Sequence, residues 1–199
     1  MINEYYEGVK FITQFVSKSA PENIYTEDLR YWCKVFHDNG LTPPYEGGSS
    51  GNLSFREKKT ENAFIITGSR IGLKHDLSDD KFVRVHACSI EKNSVYASGK
   101  IEPSSESLMH FAVYNQRKEI NAVFHGHSPE ILAHASGLKL PVTHREEPYG
   151  SIKLAKSVLE ILEDYQVIIV KNHGFIAMGK TMEEAGQITL DLLKKCRNL

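Results

Sequence analysis

Apolar positions along the chain fall into two kinds of run, one spaced at three to four residues and one nearly continuous over four to seven. The first kind opens the sequence: Val9, Ile12, Phe15 and Val16 predict a short helical face that ends before Pro21. Thr26 then reads as the cap of a second helix, with Glu27 and Asp28 in its first turn and Leu29, Trp32, Cys33 and Phe36 along a face running to His37. Further helices are expected from Ser104 to Arg117, from about Pro129 to Ser136, from Ile152 to Leu162, and from Thr181 to the end. In the last of these Glu183 and Glu184 lie at the start and Lys194, Lys195 and Arg197 near the end, which matches the helix dipole.

The second kind of run predicts seven short strands: NLSF, FIIT (64–67), FVRVHAC (82–88), Ser94–Ala97, INAVFHGH, VIIV and FIAM. The stretch LTPPYEGGSSGN breaks all periodicity and reads as a loop before the first of them. Strands in hairpin and meander order, without strict alternation with helices, predict an α/β fold of three layers (α-β-α). Its centre is a mostly antiparallel sheet flanked by helices on both faces. With 199 residues, 41% of them hydrophobic, the expected organisation is a single domain over 1–199 with residues 1–20 as an N-terminal helical extension.

Charge removes several function classes. Twenty-four Lys plus Arg against 25 Asp plus Glu leave a formal charge of -1, so the bulk electrostatics provide no footprint for nucleic acid or an anionic membrane. Cys33, Cys88 and Cys196 are far apart and outside any CxxC, which argues against a disulfide framework and fits buried thiols in a reducing compartment. The polar, acidic start lacks the pattern of a secretory signal, and no run approaches the ~20 apolar residues of a membrane span. The expectation is a soluble, cytoplasmic protein.

Candidate chemistry rests on histidines and serines. His125 and His127 are two apart, so an extended backbone sends both imidazoles to one side, where they can grip one ion. His173 follows the apolar VIIV strand in K-N-H-G, and if the two rims meet they make a three-histidine site with one or two positions free for substrate. The bland alternative is a set of satisfied or solvent-facing histidines. Gly126 and Gly174 beside them allow close approach of backbone or ligand. Glu106, behind Ser104 and Ser105 at a helix start, is either a base facing the metal or a plain capping residue. The glycines and serines of 47–52 can form an anion-binding nest of amides, and Thr67–Arg70 offers hydroxyls and a guanidinium for a second anion contact.

The order SGN (50–52), IITGS (65–69), PSSE (103–106) followed by His110 and Tyr114, AVFHGH (122–127) and KNHG (171–174) followed by Gly179 resembles the class II aldolase/adducin family over roughly residues 25–195. That resemblance implies His125, His127 and His173 as ligands of Zn2+ or another divalent transition metal. It implies Glu106 as the acid/base, and Gly51, Asn52, Ser69, Ser104 and Ser105 as the residues that hold a substrate phosphate. It further implies a small-molecule ketose or ketose phosphate as substrate, and a homo-oligomer, usually a tetramer, with active sites at subunit interfaces. Two departures stand out. Arg70 occupies a position where the aldolases tend to carry glycine, which puts a guanidinium at the phosphate pocket. The sequence also ends at Leu199 without the tail from which some members supply a tyrosine, leaving Tyr149, Tyr45 and His144 as candidate proton donors. Glutamate at 106, where the family's 4-epimerase typically has aspartate, favours aldol cleavage or dehydration over epimerisation. The reading is therefore a zinc-dependent aldolase working by retro-aldol chemistry through an enediolate, with a sugar-phosphate dehydratase or 4-epimerase, and a non-catalytic adducin-like assembly protein, as its alternatives.

Overall fold

The computed structural model describes residues 7–57 and 62–199. In chain order the elements are β1 (Ile12–Ser17), α1 (Thr26–Asp38), β2 (Pro44–Tyr45), β3 (Gly48–Ser49), β4 (Asn52–Arg56), β5 (Phe64–Thr67), β6 (Phe82–Ser89), β7 (Ser94–Ser98), α2 (Ser107–Gln116), β8 (Ala122–Gly126), α3 (Pro129–His134), α4 (Ile152–Leu159), β9 (Val167–Val170), β10 (Gly174–Gly179) and α5 (Met182–Arg197). Eight strands form one sheet in the order β1-β7-β6-β5-β4-β8-β10-β9. Every pairing is antiparallel except that of β1 with β7.

The two-residue period of the strands divides the apolar side chains between two cores. Phe64, Ile66, Val123, Ile168, Val170, Ile176 and Met178 pack with Leu108, Ala112 and Val113 of α2 and Leu154, Ala155 and Val158 of α4. Ile65, Phe124, Ile169, Phe175 and Ala177 pack with Leu29, Trp32 and Phe36 of α1, Ile131 of α3 and Ala185 and Leu193 of α5. The result is the three-layer α-β-α arrangement expected from the strand order. Because both faces are covered, FIIT and VIIV are apolar throughout, and all eight of their residues are buried.

Three local expectations are corrected. The first is the helical extension: Ile12–Ser17 is a strand, added in parallel to β7 from Ile12 opposite Ser94 to Ser17 opposite Ser98. Residues 1–6 of that predicted extension lie outside the described residues. Val9, Ile12, Phe15 and Val16 satisfy a helical spacing, but ITQFV is rich in β-branched and aromatic residues and finds an open sheet edge, so tertiary pairing overrides the pattern. Second, the segment read as pure loop contains the small β2–β3 hairpin, with Tyr45 opposite Gly48. Third, Tyr25 rather than Thr26 is the N-cap of α1, and Thr26 is its buried first residue. At α5 the capping expectation holds, with Thr181 Oγ1 accepting from the Glu184 amide at 3.0 Å.

Helix α5 reaches α1 through Gly186, where a Cβ would overlap the six-membered ring of Trp32. Gly186→Ala gains ~1 kcal/mol of helix propensity, yet overpacking a buried aromatic contact costs about 1–3 kcal/mol and rises with rigidity. A lower urea midpoint together with altered Trp32 fluorescence is the expected outcome; an unchanged or raised midpoint would show that the two helices separate freely.

Candidate metal centre

Strand β10 pairs with both β8 and β9, and this double pairing brings the histidines together. Phe175 lies opposite Gly126 and Gly174 opposite Val170, so the end of β8 and the three-residue turn 171–173 between β9 and β10 occupy one rim of the sheet. Asn172 takes the left-handed conformation (φ 57°) that this tight turn requires, and the His173 amide closes it on the Val170 carbonyl at 3.0 Å. His127 is fixed from the other side by its amide, which donates to the Leu41 carbonyl at 2.8 Å. One ligand atom from each of His125, His127 and His173 then lies within 4.8 Å of the others. The rings of His125 and His173 stack 5.1 Å apart at 6°, and that of His127 stands nearly perpendicular to both. Glycine is needed at 174 because a Cβ there would lie 2.8 Å from Cε1 of His125.

The protonation pattern suits a cation. His125 Nδ1 donates to the Phe175 carbonyl at 2.8 Å, which leaves Nε2 as a bare lone pair directed into the cluster. That Nε2 faces His127 Nε2 at 3.0 Å and Glu106 Oε2 at 3.1 Å. Burial pushes His125 below the usual histidine range, and it pushes His127 well below, reinforced by the other two imidazoles. Imidazole nitrogens of three residues and the Glu106 carboxylate converge on one point. A divalent metal satisfies them all, and the donor set of three imidazoles is that of a metal centre with room for further ligands.

Glu106 is the N-cap residue of α2, but its side chain caps nothing. It is 3% exposed, with Oε1 2.9 Å from His173 Nε2 and Oε2 accepting from Asn52 Nδ2 at 2.9 Å. Burial alone raises its pKa, but His125, His173 and the Asn52 amide outweigh burial and hold the carboxyl well below its usual range. Of the two readings open in the sequence, the structure supports the one that places this carboxylate beside the histidines.

The candidate anion-binding residues divide. Asn52 lies opposite His125 in the β4–β8 ladder, and Gly51 (φ 75°) precedes it with so close an approach that a Cβ would lie 2.8 Å from the His125 carbonyl oxygen. Ser104 and Ser105 are buried, and the Ser104 hydroxyl accepts from the Glu106 amide at 3.3 Å. Ser69 runs alongside them, since Gly68 bridges Pro103 and the Ser69 amide donates to Glu102 O at 2.9 Å. Arg70 follows Ser69. It is exposed, adopts φ 55°, and with Ser69 lines a cleft of about 550 Å³ shared with Glu7, Gly8, Val9, Phe11, Ile101 and Glu102. Among the candidate proton donors, the Tyr149 hydroxyl accepts from the Glu7 amide at 2.8 Å, the Tyr45 ring fills the space above Gly48, and His144 is exposed.

Two further buried groups lie near the centre: His110, which belongs to the family-like sequence pattern without an assigned role, and Lys74, which has no distinguishing sequence signal. His110 is buried one helical turn beyond Glu106, with Nδ1 2.7 Å from the Ser54 hydroxyl, which also meets the Tyr114 hydroxyl at 2.8 Å. Lys74 is buried behind the 49–50 loop. A lone lysine is exposed in most sequences, so only the three-dimensional contacts reveal Lys74.

Similarity to known proteins accords with this geometry. The family described as Class II Aldolase and Adducin N-terminal domain matches residues 27–198. The chain is 33% identical over 167 residues to an L-fuculose phosphate aldolase of Methanococcus maripaludis, covering 77% of this chain and 83% of that protein. It is 32% identical over 188 residues to the 5-methylthioribulose-1-phosphate/5-deoxyribulose-1-phosphate aldolase of Escherichia coli, covering 84% and 82%. The crystal structure of a sugar-phosphate aldolase from Thermotoga maritima superposes with a TM-score of 0.70 at 19% identity, over 88% of this chain and 94% of that one, and so shares the fold.

Two outcomes test the centre. His127→Ala is expected to lose most bound metal by elemental analysis while Glu106→Gln keeps it; full occupancy in His127→Ala would exclude that ligand. His110 is pushed down to about 3 by burial, whereas an unfolded histidine sits near 6.5. Between those values only the unfolded chain takes up the proton. Stability contributed by neutral His110 is therefore complete above pH 6.5 and falls by roughly 1.4 kcal/mol per pH unit below it. Urea unfolding at pH 7 and pH 5 should show that slope in the native protein and a shallower one in His110→Gln.

Proposed function

The chain belongs to the class II aldolase and adducin family, and within it we propose that this protein is a zinc-dependent aldolase that cleaves a ketose phosphate by retro-aldol chemistry. The three-histidine cluster and the family membership make it a metal-dependent enzyme of the lyase type. The observation that carries the finer reading is the buried Glu106 carboxylate, ionised and held against two of the three histidines. An acid/base group is thereby stationed where a substrate must displace it to reach the centre.

His125, His127 and His173 would hold the ion, with the Phe175 carbonyl keeping His125 in the correct tautomer. Zinc in that place supplies Lewis acidity to a carbonyl and its neighbouring hydroxyl and takes up developing negative charge. Displaced from His125 and His173, Glu106 takes up a proton from solvent and delivers it to the carbon freed by bond cleavage, and in the reverse condensation it removes that proton again. Asn52 is positioned to lose its bond to Glu106 in the same step and to turn its amide toward the substrate. Gly51, Asn52, Ser69, Ser104 and Ser105 are assigned to the phosphate, with Arg70 at its outer rim. The named activities of the Methanococcus and Escherichia relatives, both aldolases of ketose phosphates, favour this chemistry over epimerisation or dehydration. A homotetramer, on the strength of the family resemblance, and a cytoplasmic setting, on the strength of the composition, complete the reading.

The test pairs metal analysis with turnover of a panel of ketose 1-phosphates, scored for dihydroxyacetone phosphate and aldehyde. About one zinc per chain with both products is expected, and Glu106→Gln should suppress proton exchange next to the carbonyl on the order of 10²–10⁴-fold. Zinc without carbon-carbon cleavage, or loss of water instead, would replace the aldolase reading with the dehydratase.

A further inference from the structure

Behind the loop that leads into β4 lies a buried ammonium group. Lys74 is 2% exposed, and its Nζ donates to the Ser49 hydroxyl at 2.8 Å, the Ser49 carbonyl at 3.0 Å and the Ser50 carbonyl at 3.1 Å. The Ser49 hydroxyl in turn donates to the Gly72 carbonyl at 2.6 Å, which ties residues 72–74 to the loop. All of these acceptors are neutral. Burying a cation among neutral acceptors is costly, and burial pulls the Lys74 pKa down to about 8. Packing alone would be served as well by an apolar side chain of similar volume. The charge therefore calls for a purpose beyond stability.

Its direction supplies one. The Ser50 carbonyl and the Gly51 N–H belong to one peptide, and all described peptide bonds are trans, so the two groups point to opposite sides of the loop. A carbonyl that accepts from an ammonium group makes the N–H of the same peptide a stronger donor. Gly51 approaches the His125 carbonyl oxygen closely, and the next residue, Asn52, already reaches Glu106. The ammonium thus backs the stretch of loop that meets the centre.

We propose that Lys74 is a positioning residue for the anionic group of the substrate: without touching it, Lys74 holds the 49–51 loop and polarises the Ser50–Gly51 peptide so that the Gly51 amide binds a phosphate. This rests on the assignment of Gly51 and Asn52 to the phosphate in the aldolase reading. The charge remains one peptide away from the anion, and that distance predicts an effect on affinity rather than on bond cleavage.

Calorimetric binding of inorganic phosphate to the purified metal-loaded protein is the direct probe. Lys74→Met, which fills the space without a charge, and Lys74→Gln, which keeps donors, are each expected to bind phosphate on the order of tenfold more weakly. Metal content should be unchanged, and KM for a ketose phosphate should rise with kcat close to that of the native enzyme. In the native protein, which needs no variant, the Lys74 Cε resonance should move when phosphate is added. A folded neutral variant that binds phosphate as tightly as the native protein, or a resonance that stays still while phosphate binds, overturns the inference and leaves the aldolase reading standing. Native protein that binds no phosphate removes the phosphate assignment and the inference together, while cleavage of an unphosphorylated ketose would still preserve the aldolase.

Discussion

The register of β10 against β8 is the constraint on which the centre depends. Opposite Gly126 stands Phe175, and this one residue both accepts the His125 Nδ1 proton through its carbonyl and lays its ring across Gly126. A slip of one residue would exchange the two faces of the strand, sending Ile176 out of its core and Phe175 into the other. It would also carry His173 about 3.4 Å along the rim. Burial of both faces makes such a slip prohibitive, so the apolar pattern of FIAM sets the distance between imidazoles that never appear in it.

A second consequence follows from the position of β4 between β5 and β8. Asn52 and Ser54 leave the same face of that strand and meet, respectively, Glu106 and the His110–Tyr114 pair on α2. A polar seam thus runs through a helix-sheet interface that is otherwise apolar. These hydrogen bonds, made in a buried interface, fix where the helix sits along the strand. The carboxylate at the head of α2 is located by the same contacts that dock the helix.

Much of this arrangement is legible in the residues. Seven strands, the helices around them and the meeting of HGH with NHG follow from spacing and from the glycines that permit close approach. What escapes is non-local. Ile12–Ser17 satisfies a helical spacing and becomes a strand because an edge of β7 is open to it. The role of Glu106 is undecided by its neighbours, since a helix start uses a carboxylate equally well as a cap, and only the approach of His173 from 67 residues away separates the two. Lys74 is opaque for the same reason: its acceptors are two carbonyls and the hydroxyl of Ser49, all at least 24 residues away, and no local pattern announces them. Ser69 and Arg70 both line the cleft shared with Glu7 and Gly8, where Ser69 is held by its amide on the Glu102 carbonyl and Arg70, left-handed at the exit of β5, is exposed, a difference that only the fold reveals.

The parallel first strand leaves the sheet with a margin that invites strangers. Among the described residues no strand lies beyond β1, and Ile12 and Val16 on its outer side are each 64% exposed. An apolar ribbon with unpaired amides is a template for chain-to-chain aggregation. Here the ribbon is only six residues long, its register breaks between Phe15 and Ser17, and lysines stand at both ends, Lys10 over the Tyr149 ring and Lys18 over that of Phe15. Brevity, a broken register and flanking charge are gatekeepers against fibrous growth. The strand that enlarges the fold is thus also built to be its last.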